Sequence, residues 1–215
     1  MDPFLERRLK ELEEAREKVR RAGGREKVAR HHEEGKLTAR ERVETLLDPD
    51  SLMEINMLAG HGMNVPGDGI VCGSGTVDGR PLFVYSQDRT VLGGSIGLEH
   101  GYKMYRTIER ALEMRVPLIG LHEGPGARIP NSRDLDWYSV KKRTHFSFIN
   151  EKHGGSVFFP NTLASGVIPQ ISGIMGTCSG ISVYSPALTD FIYMVDNTSH
   201  MCTVSYTHLR AHETL

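Results

Sequence analysis

Apolar residues recur at helical spacing near the start of the chain. Leu5, Leu9, Leu12 and Val19 fall on one face between charged positions, which predicts an amphipathic helix over residues 3 to about 21. Pro3 suits its first turn, and Gly23-Gly24 ends it. The stripe fits a packing arm for a partner and a helix lying on its own domain equally well. Leu37 to Leu47 predicts a short helix, with Thr38 and Glu41 forming a capping box and Asp48-Pro49-Asp50 closing it. The pattern then changes to strands. Gly69 to Val77 and Leu82 to Gln87 flank a hairpin turn at Asp78-Gly79. Ile96 to Arg115 returns to helical spacing, with Met104, Ile108 and Leu112 on one face. Val116 to Leu121 reads as a short buried strand.

Residues 130 to 160 are polar, aromatic and irregular, as in a surface loop or lid. Trp137, Tyr138 and Phe146 there suit a lid, a pocket or a small satellite core. Ala164 to Ile168, Gln170 to Met175, a Gly/Ser-rich turn and Ala187 to Val195 follow. The longest apolar run, Phe191 to Val195, fits a buried strand. Strands alternating with helices predict α/β architecture.

Composition narrows the function classes. The 215 residues suffice for one sizeable domain, and 39% hydrophobic with 25% charged residues is ordinary for a soluble globular chain. A balance of 26 basic against 27 acidic residues argues against a nucleic-acid binder. No apolar run reaches the length of a membrane span. Cys72, Cys178 and Cys202 are odd in number and far apart, which implies neither a disulfide framework nor a zinc knuckle. The charged start has no apolar leader core, so a cytoplasmic location is expected. His31-His32 has no third ligand nearby, so no metal site is expected.

Three glycine-rich stretches are candidates for chemistry. Gly124-Pro125-Gly126-Ala127-Arg128 follows a buried strand. If a helix starts at Pro125, the Gly126 and Ala127 N–H groups point out of its end at an oxyanion. Gly93-Gly94-Ser95 precedes a predicted helix and could cradle a phosphate. Gly176-Thr177-Cys178-Ser179-Gly180 has the spacing of a nucleophile elbow with Cys in place of Ser. With Asp190 and His200 as partners, it would suit a Cys-dependent hydrolase.

Longer motifs favour a different reading. Gly35-Lys36-Leu37-Thr38-Ala39-Arg40-Glu41-Arg42 is followed by Leu46-Leu47-Asp48-Pro49. Gly67-Asp68-Gly69-Ile70-Val71, Ser86-Gln87-Asp88, Gly93-Gly94-Ser95, the helix with His100 and Lys103, and Gly124 to Ile129 come next. Ala164 to Ser172 and Tyr184 to Asp190 complete the series. From Gly35 to Met201 the chain resembles the carboxyltransferase (beta) subunit of propionyl-CoA and related acyl-CoA carboxylases. It is also similar to the matching subunit of sodium-pumping decarboxylases.

The resemblance implies a crotonase-like fold (the ClpP/crotonase superfamily), a superhelix of ββα units. It implies acyl-CoA as substrate, and biotin on a separate carrier protein or domain as cofactor. Biotin carboxyl carrier and biotin carboxylase subunits would be partners, in a homo-oligomer. The implied chemistry uses no side-chain nucleophile. Decarboxylated biotin takes the proton alpha to the thioester, and the enolate attacks carbon dioxide. Two oxyanion holes stabilise the developing charge. For the thioester oxygen the implied donors are Gly126 and Ala127, joined by Gly180 and Ile181. Pro125 and Ile181 stand where the family more often has Gly. Arg40, Arg42, Lys103 and Arg128, with Gly93 and Gly94, are candidates for binding the CoA phosphates; salt-bridge partners are the plainer role for each charge. A decarboxylating subunit and a non-catalytic carboxylase-like subunit are the alternatives.

The expected organisation is an arm over 1–34, an acyl-CoA domain over 35–201 cut before a C-terminal domain, and a non-native tail over 202–215. Val204 to Thr214 resembles a translated sequencing adapter. The biotin half would then be missing, and this piece alone would be inactive.

Overall fold

The structure is a computed structural model and describes residues 2–60, 65–128 and 159–203. Two helices open it, α1 (Pro3–Arg20) and α2 (Arg25–Glu33). Asp2 caps α1 through its side chain, and Arg21 is its C-cap. The α2 helix was not expected. Its only apolar residues are Val28 and Ala29, so it shows no stripe, and it buries His31 instead. Next comes α3 (Ala39–Leu46), with both halves of the Thr38/Glu41 capping box in place. A cap of this kind contributes about 1 kcal/mol.

Among the described residues, seven strands form one sheet in the order β1-β2-β3-β4-β5-β6, with β7 beside β5. β1 (Met53–Glu54), β2 (Ile70–Val77) and β3 (Arg80–Gln87) are antiparallel. The expected hairpin turn has positive φ at Asp78 (50°) and Gly79 (73°), as a tight two-residue connection requires. From β3 the chain crosses over through α4 (Leu98–Met114) to β4 (Leu118–Gly124), parallel to β3. After the short α5 (Phe159–Ala164), β5 (Gln170–Ser179) lies parallel to β4. A 3-10 turn (Gly180–Val183) and α6 (Tyr184–Ala187) lead to β6 (Phe191–Met194) and β7 (His200–Cys202).

Alternation along the strands divides the core. Phe83, Tyr85 and Leu118 pack with Met104, Ile108 and Ala111 of α4 on one face. Val71, Leu82 and Val84 pack with Ala39 and Val43 of α3 on the other. The α/β layering is as expected.

Three expectations need correction. The apolar run Phe191 to Val195 contains a strand, Phe191–Met194, but each of its residues is exposed. It pairs with β5 at the end of the strand order, and a hydrophobic run does not say which partner covers it. Gly176 to Ser179 is no turn: β7 runs beside Thr177–Ser179, and the turn begins only at Gly180. Cys202, placed in the tail, pairs with Ser179 in that ladder. The rest of the tail, 204–215, lies outside the described residues, as do Ile129, Trp137, Tyr138 and Phe146.

Candidate functional site

β4 and β5 end side by side, and the two glycine turns leave from these ends. Gly126 has φ of +105°, a conformation side chains rarely adopt. A Cβ placed on Gly126 would lie 3.1 Å from the Ser179 carbonyl oxygen and 3.3 Å from the Ile181 nitrogen. One placed on Gly180, itself at φ +58°, would lie 3.4 Å from the Pro125 carbonyl oxygen. The two turns therefore meet main chain to main chain. Gly126 comes against Gly180 and Ile181 although they are over fifty positions apart in the sequence, and Ala127 is its chain neighbour.

The expected helix at Pro125 is not there. Residues 125–128 hold no helix: Gly126 is a bend, and Ala127 bridges to Ile96. Ile96 donates to the Gly126 carbonyl at 2.8 Å and accepts from the Arg128 N–H at 3.0 Å. These two bonds hold the loop in a strand-like form that a helix start would break. Among the described residues, the Gly126 and Ala127 N–H groups have no main-chain partner. Gly126 is buried and Ala127 exposed. Pro125 gives up no donor that this turn uses.

The phosphate-binding candidates fare differently, because each charge has a partner. Lys103 is fully buried, and its amine donates to the Gly67 and Ile70 carbonyls, at 3.1 Å and 2.5 Å. Arg42 is buried and paired with Glu123. Arg40 donates to Glu54 at 2.7 Å. Arg128 pairs with Asp68 and donates to the Ser95 carbonyl at 2.9 Å. Lys103 and Arg42 are thus corrected to structural roles: both side chains are buried and hydrogen-bonded within the protein.

The start of α4 is no phosphate cradle either. Asp68 accepts the His100 N–H at 2.7 Å, so a carboxylate already sits at that helix end. Gly93 is exposed with open space around it. Gly94 is wedged against the strand: a Cβ there would meet the Glu123 carbonyl oxygen at 2.2 Å.

Asp68 lies in an unusual turn. Gly67, Asp68 and Gly69 all have positive φ, from 52° to 69°. Two of the three positions demand glycine, which explains the Gly-Asp-Gly motif. The Asp68 carbonyl accepts from His100 Nδ1 at 3.0 Å, leaving Nε2 to accept from Gln87 Nε2 at 3.3 Å. Gln87 Oε1 accepts the Glu123 N–H at 3.0 Å. A chain of buried polar groups thus runs from the Gly-Asp-Gly turn to the end of β4. Burial holds His100 neutral, with its pKa pushed down to about 3. Burial also raises the Asp68 carboxyl, against the pull of Arg128.

The cysteine-elbow reading fails on geometry and charge. Cys178 lies within β5, buried, and its thiol donates to the Ser182 carbonyl at 3.2 Å. Burial pushes its pKa up to about 12, so no thiolate forms near neutrality. Asp190 is engaged with the Gln170 N–H at 2.8 Å.

Two features escaped the sequence reading. Glu123 is fully buried at the end of β4. His122, beside it, lies edge-on to Tyr85 with ring centroids 5.3 Å apart. An acid and a histidine closing an apolar strand run were the available signal.

The carboxyl transferase domain family matches residues 30–212. The beta5 subunit of a biotin-dependent acetyl-/propionyl-coenzyme A carboxylase from Mycobacterium tuberculosis is 46% identical over 203 residues, covering 90% of this chain and 34% of that protein. Methylmalonyl-CoA decarboxylase subunit alpha from Veillonella parvula is 42% identical over 206 residues, covering 92% and 37%. Transcarboxylase 12S, solved as a hexamer assembly with methylmalonyl-coenzyme A bound, superposes with a TM-score of 0.81 at 36% identity. That match covers 100% of this chain and 41% of the transcarboxylase chain. The chain spans about a third of the length of the curated relatives it matches. Its fold is crotonase-like. On the extent of these matches, over the residues that build the paired glycine turns, the chain belongs to the carboxyl transferase domain family.

Proposed function

We propose that this chain forms the acyl-CoA side of a biotin-dependent carboxyltransferase site. The observation that carries the reading is the contact between the Gly126 and Gly180 turns, at the ends of neighbouring parallel strands. Main-chain N–H groups of Gly126 and Ala127, with those of Gly180 and Ile181, hold the thioester oxygen as negative charge builds on it. Such donors are fixed before reaction and cost little reorganisation, which is where their effect on rate lies. The close approach of two glycines keeps side chains out of the space the oxygen needs.

Biotin, delivered by its carrier, supplies the carboxyl group in exchange for the substrate's alpha proton. No described residue of this chain is assigned to hold the biotin ring. Biotin carboxylase and carrier subunits are the partners this reading requires, in a homo-oligomer in the cytoplasm. An arm over 1–34, a domain over 35–201 and a non-native tail beyond β7 complete it.

The same site serves the decarboxylating direction, since both directions pass through one enolate. The Veillonella parvula relative, only slightly less identical than the carboxylase subunit, keeps that second reading in view. A non-catalytic subunit is the remaining alternative, motivated by Pro125 and Ile181.

The test is a carboxyl-exchange assay on the full-length protein, with its biotin carrier and a panel of acyl-CoAs. Turnover that Gly126→Ala lowers about tenfold or more, while Pro125→Gly leaves it nearly intact, supports the reading, since a Cβ at 126 enters the contact between the two turns. No turnover with any acyl-CoA, in either direction, would favour the non-catalytic subunit.

A further inference from the structure

The site described so far gives no role to Glu123, yet Arg42, Lys36 and His31 all gather at this carboxylate. Its side chain is fully buried on the α3 face of the sheet. Helical phase turns Ala39, Arg42 and Val43 of α3 toward that face. Arg42 Nη2 donates to Glu123 Oε2, and Lys36 Nζ donates to Oε1 at 3.2 Å. His31 Nε2 lies 3.6 Å from Oε2 and 3.2 Å from the Leu37 carbonyl oxygen. A buried carboxylate is costly unless paired, and here two cations meet it.

The strand around Glu123 is irregular. His122 lies opposite Ile174, but Gly124 lies opposite Cys178. Glu123 alone therefore faces Met175, Gly176 and Thr177, a bulge in β5. Bulges re-aim the chain that follows them and are common beside active sites. The Glu123 side chain reaches into this bulge: a Cβ placed on Gly176 would lie 2.3 Å from Oε1. Only a glycine leaves room for the carboxylate. The main chain of Glu123 is fixed from the other side, by Gln87 and by its contact with Gly94. Three residues beyond Glu123 stands Gly126, and four beyond Gly176 stands Gly180.

We infer that Glu123, clamped by Arg42 and Lys36, is a positioning residue that fills the β5 bulge and so sets the contact between Gly126 and Gly180. The inference rests on the acyl-CoA reading of those two turns. It makes residues 31–42, which hold none of the proposed oxyanion donors, part of the machinery that shapes the site. Glu123 touches no reacting atom; it acts through the two strand ends.

Glu123→Asp is the decisive variant. It keeps the charge that Arg42 and Lys36 require but withdraws the carboxylate from Gly176. In the full-length enzyme, kcat should fall about tenfold or more while KM for the acyl-CoA changes little, as expected when donors shift by a fraction of an ångström. Amide hydrogen exchange should rise in peptides covering 124–128 and 176–182, and stay unchanged in the β2–β3 hairpin. Gly176→Ala pushes on the carboxylate from β5 with every charge intact, and should give the same pattern; it decides the matter if Glu123→Asp does not fold. Unchanged kcat, unchanged exchange at the two turns, or a loss of exchange protection spread over the whole sheet would each overturn the inference. Absence of carboxyl transfer by the unmodified enzyme would sink the functional reading alone, because the exchange measurement still decides what Glu123 positions.

Discussion

The Arg128 guanidinium donates to the Asp68 carboxylate and so joins the exit of β4 to the turn that caps α4. Arg128 lies over Gly97, the N-cap of that helix, where a Cβ would meet its Nη2 at 2.1 Å. Loop, turn and helix start are therefore one connected unit. Replacing Arg128 with Met leaves Asp68 buried without its cation. The expected loss is about 3 kcal/mol, the low end for a broken buried pair, because Arg128 keeps some contact with water. Urea denaturation of Arg128→Met should show it, and adding Asp68→Asn should restore at least half.

Gly126 offers a second test. At φ +105°, with the Ser179 carbonyl oxygen 3.1 Å from a Cβ site, Gly126→Ala should cost about 1–3 kcal/mol in backbone strain and shift. Pro125→Gly should change turnover only modestly, since Pro125 supplies no donor to the turn. Thermal unfolding and steady-state turnover measured together separate the two residues. Equal effects at 125 and 126 would count against the assignment of donors.

Acid should destabilise the fold in a defined window. His100 and His122 are buried, with pKa values pushed down to about 3 from an ordinary 6.5. Between those values the unfolded chain binds protons that the folded chain refuses, so stability falls as pH drops below 6.5. Each histidine contributes a slope of about 1.4 kcal/mol per pH unit. Asp68 and Asp88, raised by burial, act in the opposite direction nearer the carboxylate range. His122→Gln isolates one contribution: stability measured by urea between pH 7 and 5 should depend on pH less steeply by roughly one proton. An unaltered slope would mean that His122 is not held neutral.

The thiols give a fourth expectation. Cys72 and Cys178 are buried, and burial pushes them up to about 11 and about 12. Native protein should therefore leave both untouched by a thiol reagent at neutral pH, with Cys202, half-buried in β7, as the one thiol to react. Rapid modification of Cys178 coupled to loss of turnover would revive the cysteine-hydrolase reading.

The parts of the fold that were legible in the sequence are those fixed locally. Thr38 and Glu41 announce the start of α3, and Asp78-Gly79 announces the hairpin, because each signal lies within a few residues of its effect. The α2 helix was hidden because what it buries is His31, set among Glu123, Arg42 and Lys36, and not an apolar stripe. β6 was misjudged for a related reason: apolarity gives a strand's preference, while exposure depends on its neighbours. At the site, the glycines could be found because close main-chain contact demands them. The cations could not be sorted. Charge is visible along the chain, but the Glu123 that neutralises Arg42 stands 81 positions away, and the carbonyls that hold Lys103 carry no side-chain signature at all.

That separation along the chain also orders events in time. The hairpin and the α3 cap join near neighbours and can form early, whereas the Lys36–Glu123 and Arg42–Glu123 bonds close loops of 87 and 81 residues. Long loops close late because their ends must first be brought together. Nor can the carboxylate settle before β5 has paired, since the bulge that receives it does not exist until then. The bonds that shape the paired turns should therefore be among the last to form during refolding, and pulsed hydrogen exchange should find the 124–128 and 176–182 amides protected well after the hairpin. On the ribosome, Lys36 and Arg42 must wait for Glu123 until β4 and β5 have both emerged.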